Sequence, residues 1–220
     1  MNKQARVAMF EKVDVYPVTC EELSGGRKNL EVLESVIQGG ARIIQLREKS
    51  CSVREFYHLA VKFREITRRA NVLFMINDHL DIALAVGADG IHLGQEDLPL
   101  EAARKLAPDL LIGASTQSLE TALSAQKAGA DYINIGPIFP TRTKKNISHF
   151  LGPEMIAHIA PRIQVPFTVM GGINLSNLDQ VLSCGARRIA MVTGITQAPD
   201  IRERVRTIRK RIIKAHPEDR

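Results

Sequence analysis

The chain reads as an α/β protein folded into a single-domain (β/α)8 TIM barrel over residues 1–220, and three observations predict this. Strand-like and helix-like segments alternate from end to end, eight pairs in all, which is the pattern of a parallel barrel rather than of separate α and β layers. A Gly-Ala step recurs between a helix and the next strand, at Gly40-Ala41-Arg42, Gly87-Ala88-Asp89, Gly129-Ala130-Asp131 and Gly185-Ala186-Arg187. Glycine just past a helix supplies the left-handed residue that ends it. Finally, polar residues able to do chemistry collect after the strands, at the end where such barrels carry their sites.

Taken in order, Val13–Val18 is an apolar, β-branched strand, and Leu30, Leu33 and Ile37 have helical spacing. Ile43–Leu46 is a strand, and Val53, Phe56, Ala60 and Phe63 mark the next helix. Val72–Ile76 precedes a helix over Asp78–Val86; Gly90–Leu93 precedes one over Leu100–Leu106. Leu110–Ile112 leads to a helix over Ser118–Ala128, with Ser118 as N-cap. Tyr132–Ile135 is followed by a long loop and a helix over Pro153–Ile159. Phe167–Met170 is followed by a helix containing Leu178, Val181 and Leu182. Arg188–Val192 is the eighth strand, and a basic terminal helix closes the series.

Bulk properties narrow the function. With 45% hydrophobic and 25% charged residues the composition is that of an ordinary globular protein. No apolar run approaches the roughly 18 residues of a membrane span. The first residues lack the apolar core of a signal peptide, and Cys20, Cys51 and Cys184 form no CxxC pair, so a cytoplasmic location with free thiols is expected. Of the net +6, residues 201–220 carry a surplus of five, on a helix whose Ile201, Val205, Ile208 and Ile212 make an apolar stripe. That places the charge on a solvated helix face without interleaved aromatics, which argues against a nucleic-acid partner. The sequence leaves a monomer or a homo-oligomer open.

The strand ends carry the candidate site. After the second strand, Gln45, Arg47 and Lys49 alternate on an extended segment and face one way, suited to a diphosphate; the rival reading is an exposed charged strand end that also holds Glu48. After the third and fourth come Asn77-Asp78 and Gly94-Gln95-Glu96-Asp97. Asp78 and Asp97 on neighbouring strand ends can share Mg²⁺, which takes few carboxylates and completes its shell with water and phosphate; helix capping is the rival role for Asp78. His92 and His79 read as packing or surface residues. Ser115-Thr116-Gln117 follows the fifth strand, and Gly136-Pro137-Ile138-Phe139-Pro140-Thr141-Arg142-Thr143-Lys144-Lys145 follows the sixth, a stiffened loop of hydroxyls and cations. Gly171-Gly172 and Thr193-Gly194 end the last two strands, where barrels often bind a phosphate on backbone N–H groups.

These residues, from Gln45-Leu46-Arg47-Glu48-Lys49 through Asn77-Asp78, Gly90-Ile91-His92-Leu93-Gly94-Gln95-Glu96-Asp97, Gly136-Pro137, Thr141-Arg142-Thr143-Lys144 and Gly171-Gly172-Ile173, together resemble the thiamine phosphate synthase family in order from about residue 13 to 200. The resemblance implies a transferase that joins 4-amino-5-hydroxymethyl-2-methylpyrimidine diphosphate to 4-methyl-5-(2-phosphoethyl)thiazole, with diphosphate leaving first and the thiazole nitrogen capturing the cation. It implies that Gln45, Arg47, Lys49, Asn77 and Lys144 hold the pyrimidine diphosphate, Asp78 and Asp97 hold Mg²⁺, and Ser115 assists near the leaving group. Thr141, Thr143, Gly172, Val192 and Thr193 would receive the thiazole phosphate. The chain departs from the family at Gln117, where His is frequent, at Thr193, where Ser is common, and at Met170, where Ile is common. Thiazole tautomerase, a close relative, uses a His near Gln117 and generally lacks the Thr-x-Thr-Lys loop; it and a non-catalytic phosphorylated-ligand binder are the alternatives.

Overall fold

The computed structural model describes residues 1–141, 143 and 149–217. Its strands are β1 (Val15–Pro17), β2 (Ile43–Leu46), β3 (Leu73–Asn77), β4 (Gly90–Leu93), β5 (Leu111–Thr116), β6 (Tyr132–Ile135), β7 (Phe167–Val169) and β8 (Ile189–Met191). All pair in parallel, in the order β1-β8-β7-β6-β5-β4-β3-β2. Just beyond β1, a parallel bridge between Val18 and Gln45 joins the two ends of that order and closes the barrel. The Thr19 N–H donates to the Gln45 carbonyl at 2.9 Å, and the Arg47 N–H donates to Thr19 Oγ1 at 3.1 Å.

The helices are α1 (Lys3–Glu11), α2 (Asn29–Gln38), α3 (Val53–Ala70), α4 (Leu80–Ala85), α5 (Leu100–Leu106), α6 (Leu119–Lys127), α7 (Glu154–Ile159), α8 (Leu178–Ser183), α9 (Thr193–Thr196) and α10 (Ile201–Ala215). Side-chain alternation divides the core in two. Ile44, Leu46, Phe74, Ile76, Ile91, Ile112 and Ile133 point outward to meet the helices, while Tyr16, Ile43, Leu73, Met75, Leu111 and Tyr132 fill the barrel interior. Each fully buried Leu, Ile or Phe contributes roughly 1.5–3 kcal/mol. The four recurrent glycines carry φ of 90°, 63°, 93° and 91° at Gly40, Gly87, Gly129 and Gly185, the left-handed turn their position demands.

Three departures from the sequence reading have physical causes. The helix α1 has little amphipathic signal; it buries only Phe10, which enters the barrel interior and stacks on Tyr132 at 4.3 Å between ring centroids. The strand β5 runs on to Thr116 through Gly113, a residue that weakens strand propensity but is required by packing: a Cβ there would lie 2.0 Å from Tyr132 Cζ. The helix α4 starts at Leu80, not Asp78, because Asp78 sits at φ 65° and His79 occupies the cap position. Ser118 is the N-cap of α6, accepting from the Thr121 N–H at 3.1 Å. Among the described residues no helix is long and apolar enough to cross a membrane.

Candidate active site

A cavity of about 270 Å³ opens at the carboxyl ends of the strands. Its wall contains Gln45, Arg47, Lys49, Asn77, Asp78, Asp97, Ser115, Thr141, Thr143, Gly172, Val192 and Thr193. Every residue given a ligand-holding role from the sequence therefore borders one cavity, except Lys144, which with Arg142 and Lys145 lies outside the described residues.

The cationic side is built by alternation along β2 and its extension. Gln45 faces the interior, and Arg47 and Lys49 follow on the same side. The rival reading of an exposed charged strand end does not hold for the intervening Glu48: it is buried, and its Oε1 accepts from the Glu21 N–H at 2.7 Å and Asn29 Nδ2 at 3.0 Å. That carboxylate anchors the loop after β1 and leaves its two cationic neighbours to the cavity.

The two aspartates meet on the adjoining strand ends. The Asp78 carboxylate does not cap α4; it pairs with Lys49, and its backbone sits at φ 65°, in the left-handed region that Asp enters more readily than most non-glycine residues. The Asp97 Oδ2 accepts from the Gly94 N–H at 2.6 Å. Burial, then the adjoining Asp78 carboxylate, push the Asp97 pKa up, against the lowering charge of Lys49. Two hard oxygen donors whose negative charges burden each other fit a divalent cation, which would relieve that repulsion. Among the described residues no third His, Cys, Asp or Glu joins them, so water and ligand phosphate would fill the remaining positions.

The opposite wall is backbone. Gly171 and Gly172 take φ of 107° and 63°, and a Cβ on Gly172 would lie 2.3 Å from the Pro140 carbonyl oxygen. A Cβ on Gly194 would likewise lie 2.5 Å from the Ile173 carbonyl oxygen. Glycine at both points lets the loops after β6, β7 and β8 close around one small space, which α9 borders with Thr193 at its first position. Thr141 and Thr143 sit beside it, the Thr143 N–H donating to Thr141 Oγ1 at 3.2 Å.

Sequence reasoning misses a buried residue of the cavity wall. His92, read as packing or surface, is buried in β4 and lines the cavity, with Nε2 2.9 Å from Ser115 Oγ and Nδ1 2.9 Å from Tyr132 Oη. The available signal was its place at an inward-facing strand position two residues before Gly94. His79 packs as expected, its ring 5.1 Å from Phe56. Gln117 also lines the cavity, at an exposed position.

A closed parallel barrel with a carboxylate pair, a cationic strand end and a glycine-built cradle at one rim defines a phosphate-ligand enzyme of the (β/α)8 class. Residues 15–195 match the family model for thiamine monophosphate synthase, and the chain belongs to that family. It is 43% identical over 209 residues to the thiamine-phosphate synthase of Dictyoglomus turgidum, covering 94% of each chain. It is 46% identical over 199 residues to that of Pelotomaculum thermopropionicum, covering 90% of this chain and 91% of the relative. The solved structure of thiamine phosphate pyrophosphorylase from Pyrococcus furiosus superposes with a TM-score of 0.87 at 37% identity, over 94% of this chain and 98% of that one.

Proposed function

We propose that this chain forms thiamine phosphate and diphosphate from 4-amino-5-hydroxymethyl-2-methylpyrimidine diphosphate and 4-methyl-5-(2-phosphoethyl)thiazole, as one barrel domain acting in the cytoplasm, alone or as a homo-oligomer. The observation that carries this is the division of one cavity into two phosphate-suited walls, Arg47, Lys49, Asn77 and the aspartate pair on one side and the Gly171-Gly172 and Thr193-Gly194 backbone on the other. Its high identity to thiamine-phosphate synthases supports the choice of substrates.

In this reading Gln45, Arg47, Lys49 and Asn77 hold the pyrimidine diphosphate, joined by Lys144 on the strength of the sequence alone. Asp78 and Asp97 would hold Mg²⁺, which when bound supplies positive charge to the leaving diphosphate. The C–O bond breaks first and its electron pair leaves with the diphosphate. The thiazole nitrogen lone pair then captures the pyrimidine methylene cation. Such chemistry requires fixed donors where charge develops, not a strong nucleophile, and Arg47 and Ser115 are suited to that task. Thr141, Thr143, Thr193 and the backbone at Gly172 and Val192 hold the thiazole phosphate so that its nitrogen meets the cation.

The test is to incubate purified protein with both substrates and Mg²⁺ and follow thiamine phosphate by fluorescence after oxidation. Product that requires both substrates supports the reading. Isomerisation of the thiazole without condensation would indicate a tautomerase, and binding without turnover a non-catalytic barrel.

A further inference from the structure

Beneath the cavity floor a continuous line of hydrogen bonds crosses the barrel. Gln45 Nε2 donates to Tyr16 Oη at 3.1 Å, Tyr16 Oη lies 3.0 Å from Tyr132 Oη, Tyr132 Oη lies 2.9 Å from His92 Nδ1, and His92 Nε2 lies 2.9 Å from Ser115 Oγ. All the members but Ser115 are buried. Burial holds both phenols well above their ordinary pKa, so each brings one proton to donate. The line is built in: β4, β5 and β6 set His92, Gly113 and Tyr132 in register, and the missing Cβ of Gly113 makes the space that the Tyr132 ring occupies.

Its direction follows from the Gln45 end. Tyr16 accepts from the amide, and the partner left in the line for its own O–H is Tyr132; the partner left for the Tyr132 O–H is then His92 Nδ1. Nδ1 is then the bare nitrogen, Nε2 carries the proton, and Ser115 Oγ accepts from it. We propose that Tyr132 is a positioning residue that fixes this His92 tautomer and thereby holds Ser115 as a hydrogen-bond donor into the cavity. The consequence suits the proposed reaction, on which only the kinetic part of the test rests. A serine whose oxygen receives a proton donor presents its own O–H to a departing phosphate oxygen. The reverse direction would have Ser115 donate to His92 and turn an electron-rich oxygen toward a carbocation, inviting capture of the wrong partner.

The direct test is nitrogen NMR of the free protein labelled with ¹⁵N-histidine near neutral pH, with the His92 signals assigned by their loss in His92→Asn. The expected spectrum has a pyridine-like Nδ1 and a pyrrole-like, protonated Nε2. A protonated Nδ1 with a bare Nε2, or an imidazolium, overturns the proposal whether or not the protein makes thiamine phosphate. The kinetic arm uses Tyr132→Phe, which removes the donor while keeping the ring. It should lower kcat about tenfold, the size of one hydrogen bond, with both KM values nearly unchanged. In a Ser115→Ala background the same change should alter kcat less than about twofold, since the two residues act as a unit. Fully multiplicative losses would overturn the assignment of Tyr132 to Ser115. Should Tyr132→Phe fail to fold, the wild-type spectrum still decides the direction of the line.

Discussion

At the N-terminal end of the barrel Asp14, Asp89 and Asp131 each receive an arginine from a surrounding helix, whereas at the C-terminal end Asp78 and Asp97 adjoin and share the charge of Lys49. The N-terminal pairs follow one design. Asp14 takes Arg209 from α10 at 2.9 Å, Asp89 takes Arg64 from α3 at 2.6 Å, and Asp131 takes Arg104 from α5. Each carboxylate also accepts a strand N–H: Val15 to Asp14, Phe74 to Asp89 and Ile112 to Asp131. These groups tie helices to strands and leave their charge spent. Among the described residues the C-terminal carboxylates have fewer partners, Lys49 for Asp78 and the Gly94 N–H for Asp97. The same residue type thus serves stability at one rim and, in the proposed function, ligand binding at the other, and the number of partners distinguishes the two.

Substitutions at the two rims should therefore separate activity from stability. The largest expected effect is at Asp97→Asn. If Asp97 holds the cation of the proposed reaction, its removal should lower kcat by about 10²–10³. The melting temperature should hold or rise, because the raised Asp97 pKa means its charged form is disfavoured in the folded protein. Steady-state kinetics beside calorimetric melting would show whether the two readouts part in this way.

Arg209→Met should do the opposite. It strands the Asp14 carboxylate, which is 7% exposed, and breaking such a pair from one side costs about 3 kcal/mol. For a chain of this size that is a fall of about 6–12 °C in Tm. Turnover at 25 °C should be unchanged, and a loss of kcat in the folded variant would break the division between the rims.

Gly113→Ala sits between these extremes. The added methyl meets the Tyr132 ring, so overpacking of about 1–3 kcal/mol is expected in denaturant unfolding. Because the ring carries the hydroxyl that faces His92, kcat should fall as well. A purely structural effect would sharpen the comparison by moving the border between the rims above β5.

The smallest effect is at Thr193→Ala, which keeps the backbone of the cradle and removes one hydroxyl. About 1 kcal/mol, or a fivefold rise in the KM for the thiazole phosphate, is expected, with little change for the pyrimidine diphosphate. Equal damage to both would mean that the two walls are assigned to the wrong ligands.

Much of this was legible in the sequence because the relevant signals are local. Period-two alternation placed Gln45, Arg47 and Lys49 on one face, and the Gly-Ala steps marked where helices stop. What stayed hidden depends on distant residues. Glu48 reads as exposed until Asn29 and the Glu21 N–H are brought to it. The Tyr16–Tyr132–His92 line needs a void supplied by Gly113 on a fourth strand. The arginines that satisfy Asp14, Asp89 and Asp131 lie 195, 25 and 27 residues away, on helices whose basic faces look solvated in isolation.

The central claim, that the C-terminal rim leaves a carboxylate pair for a cation completed by substrate phosphate, is tested most directly by calorimetric titration of Mg²⁺ into the purified protein. The account predicts weak binding to the free protein, markedly tighter binding when the pyrimidine diphosphate is present, and loss of that tightening in Asp97→Asn. Mg²⁺ binding that is indifferent to the diphosphate, or that survives intact in Asp97→Asn, would contradict it.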